Sequence, residues 1–302
     1  MRFERGGDPD AFAERVWSFV AERLERNIIG TLLTDVRAGR YDEYSLALGV
    51  NERDRVVYVG MRIPPWYLVT SDLDPALAPE LIDWWMRFDS GVQGVDGPPA
   101  AARAIADAWA ARSGGTTRLR LTESMHALDQ VTDPPHGIAR GALRLATETE
   151  RELLIDWMAA FQEEAGMPGM DREHVARGVD VQLAQGKARL WEDGRPVSLV
   201  GVNCPVAGVV RIGPVYTPPE LRGRGYAASA VATASRKALA GGADRCMLFT
   251  DVANPTSNKI YAEVGYRWVG AWEQHAFERG GEAPAVRAGA DRDSRVLEGP
   301  RR

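Results

Sequence analysis

Apolar positions recur at helical spacing near the start of the chain: Phe12, Val16, Phe19, Val20 and Leu24 predict an amphipathic helix from Asp8 to Arg26. Asp8 is placed to cap it and Pro9 to occupy its first turn. Leu32 and Leu33 extend the apolar pattern towards Gly39. Two alternating runs follow, Tyr44 to Val50 and Val56 to Ile63, separated by the charged turn Asn51 to Arg55, and together they read as a hairpin. Pro64 and Pro65 stop the second run, and Leu68 to Thr70 resumes it. Helices are predicted over Ala76 to Phe88 and Pro99 to Arg112, the latter ended by Gly114 and Gly115, and a strand begins at Thr117 to Leu121.

Two prolines and a glycine rarely sit inside a regular element, so Asp133-Pro134-Pro135-His136-Gly137 marks a linker. After it Ala139 to Ala146 reads as a strand, and Thr149 is placed to cap a helix over Glu150 to Ala165 whose Leu153, Leu154, Trp157, Met158 and Phe161 form one stripe. Asp171 opens a further helix to about Ala184. Ala188 to Trp191 and Val197 to Val202 form a hairpin around Asp193-Gly194, a strong turn signal. Val209 to Tyr216 is a strand that Pro218 and Pro219 terminate. A glycine turn from Arg222 to Ala227 leads into an alanine-rich helix that Gly241 and Gly242 end, and Cys246 to Asp251 is one more strand. The expected division is an N-terminal domain over 1–132, a linker over 133–137, a second domain over 138–277, and a tail over 278–302 whose glycines, prolines and charges predict disorder.

A strand, a glycine turn and a helix form a ready anion site, because the first amides of the helix have no internal partner and carry the positive end of its dipole. Arg222 and Arg224 add charge there, or are simply solvated at the surface. The string Arg222-x-x-Gly225-x-Ala227 is followed by the strand Cys246 to Asp251, by Asn254-Pro255-Thr256-Ser257-Asn258-Lys259-Ile260-Tyr261, and by Gly265-Tyr266. These two blocks together resemble the GNAT superfamily of N-acetyltransferases, and the resemblance covers about residues 138–277. It implies an α/β (α+β) fold with a mixed, mostly antiparallel central sheet flanked by helices. The first half loosely echoes the same order and reads as a degenerate GNAT-like repeat. Between Thr70 and Leu81, however, it has no glycine turn and carries Asp72 and Asp74, which repel phosphate, so coenzyme is expected only in the second half.

The resemblance implies acetyl-CoA as the acyl donor and assigns roles. Backbone at Val215, Tyr216 and Thr217 would pair with the pantetheine arm, and Arg222, Gly223, Arg224, Gly225, Tyr226 and Ala227 would take the pyrophosphate. Asn254 would bond the coenzyme arm, although a helix cap explains the same residue. Tyr261 matches the general-acid tyrosine of the superfamily and is two helical turns from Asn254, on the same face; a core aromatic is the alternative. With a phenol near pKa 10 and a thiol near 8.5, outright proton donation is uphill by about 2 kcal/mol, which favours a hydrogen bond to the departing thiolate or relay of the amine's own proton. The base stays open: Glu163, Glu164 and Asp251 fall near the expected cleft, yet each also fits a solvated surface. Cys204 reads as a buried strand cysteine, and His126, His136, His174 and His275 have no metal-ligand spacing, so no metal is expected.

Composition narrows the class. The chain has 302 residues, 45% apolar and 26% charged, with no apolar run long enough to span a bilayer and no export core at its start, so a cytoplasmic location is expected. A formal charge of −5 with arginines interspersed among acids argues against nucleic acid as a partner. Cys204 and Cys246 are not expected to form a disulfide. Most of the nine tryptophans are expected in cores, Trp66 being the candidate for an acceptor pocket. The resulting expectation is an N-acetyltransferase that moves acetyl from acetyl-CoA directly to a small-molecule or peptide amine; the alternative is a non-catalytic acyl-CoA sensor. Aminoacyl transfer from charged transfer RNA is disfavoured by the acidic balance and the intact loop. The oligomeric state is open, a homodimer included.

Overall fold

The helical and alternating patterns fold into the same succession of elements twice. The computed structural model describes residues 1–165 and 171–279. The first half runs β1 (Arg2–Gly6), α1 (Pro9–Ala21), α2 (Asn27–Arg37), β2 (Ser45–Val50), β3 (Val56–Arg62), β4 (Leu68–Thr70), α3 (Ala78–Trp85), β5 (Gly94–Gly97), α4 (Pro99–Ser113) and β6 (Thr116–Leu128). The second runs β7 (Ala142–Leu145), α5 (Arg151–Glu164), α6 (Arg172–Ala184), β8 (Ala188–Glu192), β9 (Pro196–Val202), β10 (Val209–Tyr216), α7 (Tyr226–Ala240), β11 (Arg245–Asp251), α8 (Pro255–Val264) and β12 (Arg267–Glu278). Element for element the orders are identical, so the echo in the sequence is a true repeat of the fold.

All twelve strands join one sheet in the order β1-β2-β3-β4-β5-β12-β6-β11-β10-β9-β8-β7. Advancing each strand number by six reverses this order onto itself, the mark of a pseudo-twofold axis between β6 and β12. Only β4 with β5 and β10 with β11 are parallel; every other neighbour is antiparallel. The two central strands are exchanged: β12, from the end of the second half, pairs with β5 and β6, while β6, from the end of the first, pairs with β11. Each half therefore has its sheet completed by the other.

Strand alternation sorts the cores onto two faces. Leu46, Leu48, Val59, Met61 and Trp272 pack under α1 and α2, whereas Ala47, Tyr58, Leu68, Val95 and Phe277 pack under α3 and α4. In the second half Leu190, Leu199 and Tyr216 face α5 and α6, while Trp191, Val200, Val210, Ile212 and Leu248 face α7 and α8. Phe249 packs against the α1/α2 core and its neighbour Leu248 against α7/α8, so α1, α2, α5 and α6 share one face. Asp8 caps α1, its side chain accepting from the Ala11 amide at 2.9 Å, and Asp171 caps α6 by accepting from His174.

Several expectations change. The helix from Asp8 breaks after Ala21 and restarts as α2, and the strand expected over Thr117 to Leu121 runs from Thr116 to Leu128. β1 and β5 were not legible; β5 is four residues with a glycine at each end, and those glycines admit Tyr67 and Thr70 where a Cβ would clash at 2.7 and 2.3 Å. Thr147, not Thr149, makes the capping box, with Glu150 reaching back to the Thr147 amide at 2.8 Å. Trp268 is exposed rather than core, as is Cys204, which lies in the loop after β9. The tail begins later than expected, since Glu278 closes β12 and pairs with Arg118; residues 280–302 lie outside the described residues.

Candidate functional site

The site follows from where two parallel strands part. β10 and β11 pair only at Val209↔Arg245, Val210↔Cys246 and Arg211↔Met247, although β10 continues to Tyr216 and β11 to Asp251. A register shift between Ile212 and Val215 on the β9 side turns β10 away. From Ile212 onward the β10 edge that faced β11 is thus unpaired, which leaves backbone groups for an extended ligand. Val215 and Tyr216 stay paired with Val200 and Leu199 on the other edge, and the Ser198 hydroxyl lies 2.8 Å from that of Thr217 and donates to the Tyr216 carbonyl.

At the mouth of this opening lies the glycine turn. Gly223 and Gly225 have φ of +75° and +76°, a region where side chains are strained, and a Cβ on Gly223 would meet nothing within 4 Å. The left-handed Gly225 leads into α7 with no side-chain cap, so the first amides of a 15-residue helix are left for a ligand. Arg222 braces this loop: its Nε donates to the Thr217 carbonyl at 2.9 Å and its Nη2 binds both oxygens of Glu164 on α5 at 2.8 and 2.6 Å. Arg224 donates to the Glu220 carbonyl at 3.3 Å. The Tyr226 ring turns into the core under α7 and its hydroxyl donates to Asp193 at 2.8 Å. The loop thus presents backbone amides at the start of α7, with Arg222 and Arg224 at its rim.

On the far side of the opening Asn254 caps α8, its side chain accepting from the Ser257 amide at 3.0 Å, and Asn258 donates to the Asp251 carbonyl at 3.1 Å. Tyr261 packs in the α7/α8 core, edge-on to Tyr266 with 6.1 Å between centroids, and is 8% exposed. Burial pushes its phenol up to about 12. The structure thus shows the cap at Asn254 and the core aromatic at Tyr261, both at the helix that follows β11.

The opposite face holds groups that sequence reasoning missed. Val210 and Ile212 point to α7, so Arg211 points the other way, towards α2, and feels Asp35, Glu123 and Tyr41. Glu123 on β6 stands in register with Asp251 on β11 and Trp272 on β12. Burial, moderated by Arg211 and aided by Asp251, pushes its carboxyl up to about 7. Asp96 on β5 is buried beside it, receives hydrogen bonds from Trp272 and Gln274, and is pushed up to about 8. Among the base candidates of the sequence, Glu164 is held by Arg222, Glu163 is exposed, and the Asp251 side chain accepts from the Ala253 amide at 2.8 Å. The signal that could have singled out Glu123 is its place on the apolar side of an alternating strand, with Met125 and Ala127. Trp66 packs against the α1/α2 core that also takes Phe249 and Trp272, on this same face.

Residues 151–266 match the family model described as the Acetyltransferase (GNAT) family. The fold is shared with a GCN5-related N-acetyltransferase from Sphaerobacter thermophilus at 15% identity and a TM-score of 0.58, over 91% of this chain and 95% of that one. It is shared also with a GCN5-related N-acetyltransferase from Kribbella flavida, at 17% identity and 0.57, over 85% and 96%. A tandem GNAT protein from the clavulanic acid biosynthesis pathway is similar at 12% identity and 0.57, over 93% of this chain and 100% of that one. No curated protein matches the sequence. Residues 151–266 are thus the part of the chain that is similar to the GNAT family, and the first half repeats the fold of the second. Among the described residues no helix is long and apolar enough to cross a membrane, and no group of three or more His, Cys, Asp or Glu could hold a metal.

Proposed function

We propose that the protein transfers an acetyl group from acetyl-CoA to an amine within a ternary complex. The reading is carried by one observation: an uncapped helix start behind two left-handed glycines, set at the mouth of a gap between parallel strands. The amides of Gly223 to Ala227 hold the diphosphate and the free edge of β10 at Val215, Tyr216 and Thr217 pairs with the pantetheine arm, while Asn254 and Tyr261 flank it from α8. The bound coenzyme supplies the activated acyl thioester. The first domain, 1–132, joined through 133–137, brings α2 over the acceptor side of 138–277.

Glu123 is assigned as the base. An alkylammonium near pKa 10.4 gives its proton to an ordinary glutamate at a cost of about 8 kcal/mol, and to one at 7 for about 5. The freed amine nitrogen then bonds to the acyl carbon, the carbon–sulfur bond breaks, and the nitrogen's second proton passes to the departing thiolate, which leaves as coenzyme A. With its phenol near 12, Tyr261 could protonate a thiolate only uphill by about 5 kcal/mol, so it acts by hydrogen bonding to the sulfur. Titration calorimetry with acetyl-CoA tests the reading. Wild type binds, and Gly225→Glu, which strains a positive φ and places a carboxylate against the diphosphate, does not. Failure of the wild type to bind, or equal binding by the variant, would overturn the site.

A further inference from the structure

Arg211 is a cation without a counter-ion of its own. Its guanidinium makes no hydrogen bond or ion pair with any described residue, although it is only half-buried and neighbours Asp35, Glu123 and Tyr41. Asp35 is already claimed: Arg40 bonds to it, and Lys187, the residue just before β8, lies 3.6 Å from it. Three cations thus surround one committed carboxylate. Glu123 stands near Arg211 but forms no ion pair with it. Burial disfavours the charge on Arg211, with Asp35, Glu123 and Tyr41 acting against that shift.

The position matters as much as the charge. Arg211 is the last residue of β10 paired to β11 before the strands part, and it faces the side of the sheet shared by Glu123, Asp251, Phe249 and Trp272. Across that face stand Asp35 and Tyr41, contributed by α2 and the loop after it. Arg211 and Glu123 therefore share one face of the sheet, two strands apart, one suited to an anion and the other to an ammonium. Arginine presents paired donors that match a carboxylate.

We infer that the acceptor is an amino-carboxylate: its acid group ion-pairs with Arg211 while its amine faces Glu123. The inference rests on the acetyl-transfer reading and names the substrate class of that same site. In the transfer the acceptor nitrogen loses one proton to Glu123, bonds the acyl carbon as the carbon–sulfur bond breaks, and gives its second proton to the departing thiolate; its carboxylate stays on Arg211 and reacts with nothing.

The test is a thiol-release assay on matched acceptors, each amino acid beside its decarboxylated amine and its aminophosphonate, with wild type, Arg211→Lys and Arg211→Gln. Acetyl-CoA affinity, measured first for each protein by calorimetry, is expected to be unchanged within about twofold in both variants. Wild type should favour one or more amino acids over the paired amine by roughly 10- to 100-fold in kcat/KM, the range for a hydrogen-bonded charge. Arg211→Gln should erase that preference by raising KM for the amino acid alone, and Arg211→Lys should keep part of it. A stronger response to the aminophosphonates would replace carboxylate by phosphonate or phosphate and overturn the stated class. Coenzyme binding with no preference for the acidic member of any pair, with no acetylated amino acid at all, or with Arg211→Gln slowing both members equally, overturns the inference while leaving the coenzyme site standing. Absence of coenzyme binding by wild type overturns both.

Discussion

Replacing Glu123 by glutamine should weaken the enzyme and strengthen the fold, and the two effects should separate by pH. In the folded chain the carboxyl titrates near 7 against an ordinary 4.5, with burial as the main cause, Arg211 opposing it and Asp251 adding to it; Asp96 on β5 is the other acid nearby. A raised pKa means that the folded state holds the proton more firmly than the unfolded one. Below about pH 4.5 the carboxyl is neutral in both states and costs nothing. As pH rises through 7 the native protein must bury its charge, and about 3 kcal/mol of stability is lost, an upper bound because the residue is not wholly shielded. Glutamine removes that loss. Glu123→Gln should therefore melt up to about 5 °C higher than wild type at pH 8 and at nearly the same temperature at pH 4.5. In the thiol-release assay the wild-type kcat/KM should rise with pH along a limb centred near 7, and the variant should lose that limb together with roughly 10²- to 10⁴-fold of its rate. A variant that is less stable at pH 8, or that keeps its rate within about threefold, would refute the assignment of a strained buried base.

Tyr261→Phe should lower kcat by about tenfold or more while acetyl-CoA affinity changes less than threefold, since only the hydroxyl is removed from a buried ring; unchanged turnover would take away its role at the sulfur. Truncation after Tyr266 removes β12, which separates β5 from β6 and carries the buried Trp272 and Phe277, so it should abolish cooperative melting of the first half as well as the second. A separately expressed 1–132 fragment should likewise lack a cooperative transition by circular dichroism; a sharp one would show that the first half closes its sheet without exchange.

Local chemistry made much of the second half readable in advance. The turn Asp193-Gly194, the prolines after Tyr216, the glycines on either side of α7 and the cap at Asn254 are all choices in which one residue type answers one backbone need. The glycine turn before α7 belongs to this class, because a glycine with positive φ before an alanine helix carries its meaning in sequence. Glu123 and Arg211 do not. Each sits in an ordinary alternating strand, and each becomes chemical only because β6 is inserted beside β11 and because α2 of the other half comes over the cleft. The short β5 was invisible for a related reason, its four residues being held by neighbours on both sides rather than by their own propensity.

The sequence by itself therefore determined most of the element order, the repeat in outline, and the glycine turn that opens α7, since these depend on neighbours a few residues away. Only the tertiary structure decided that the two halves exchange their last strands into one sheet, and which charges thereby meet across it. Hydrogen bonding along a strand edge and the desolvation of a carboxylate or guanidinium both depend on partners more than a hundred residues distant. No local pattern encodes them.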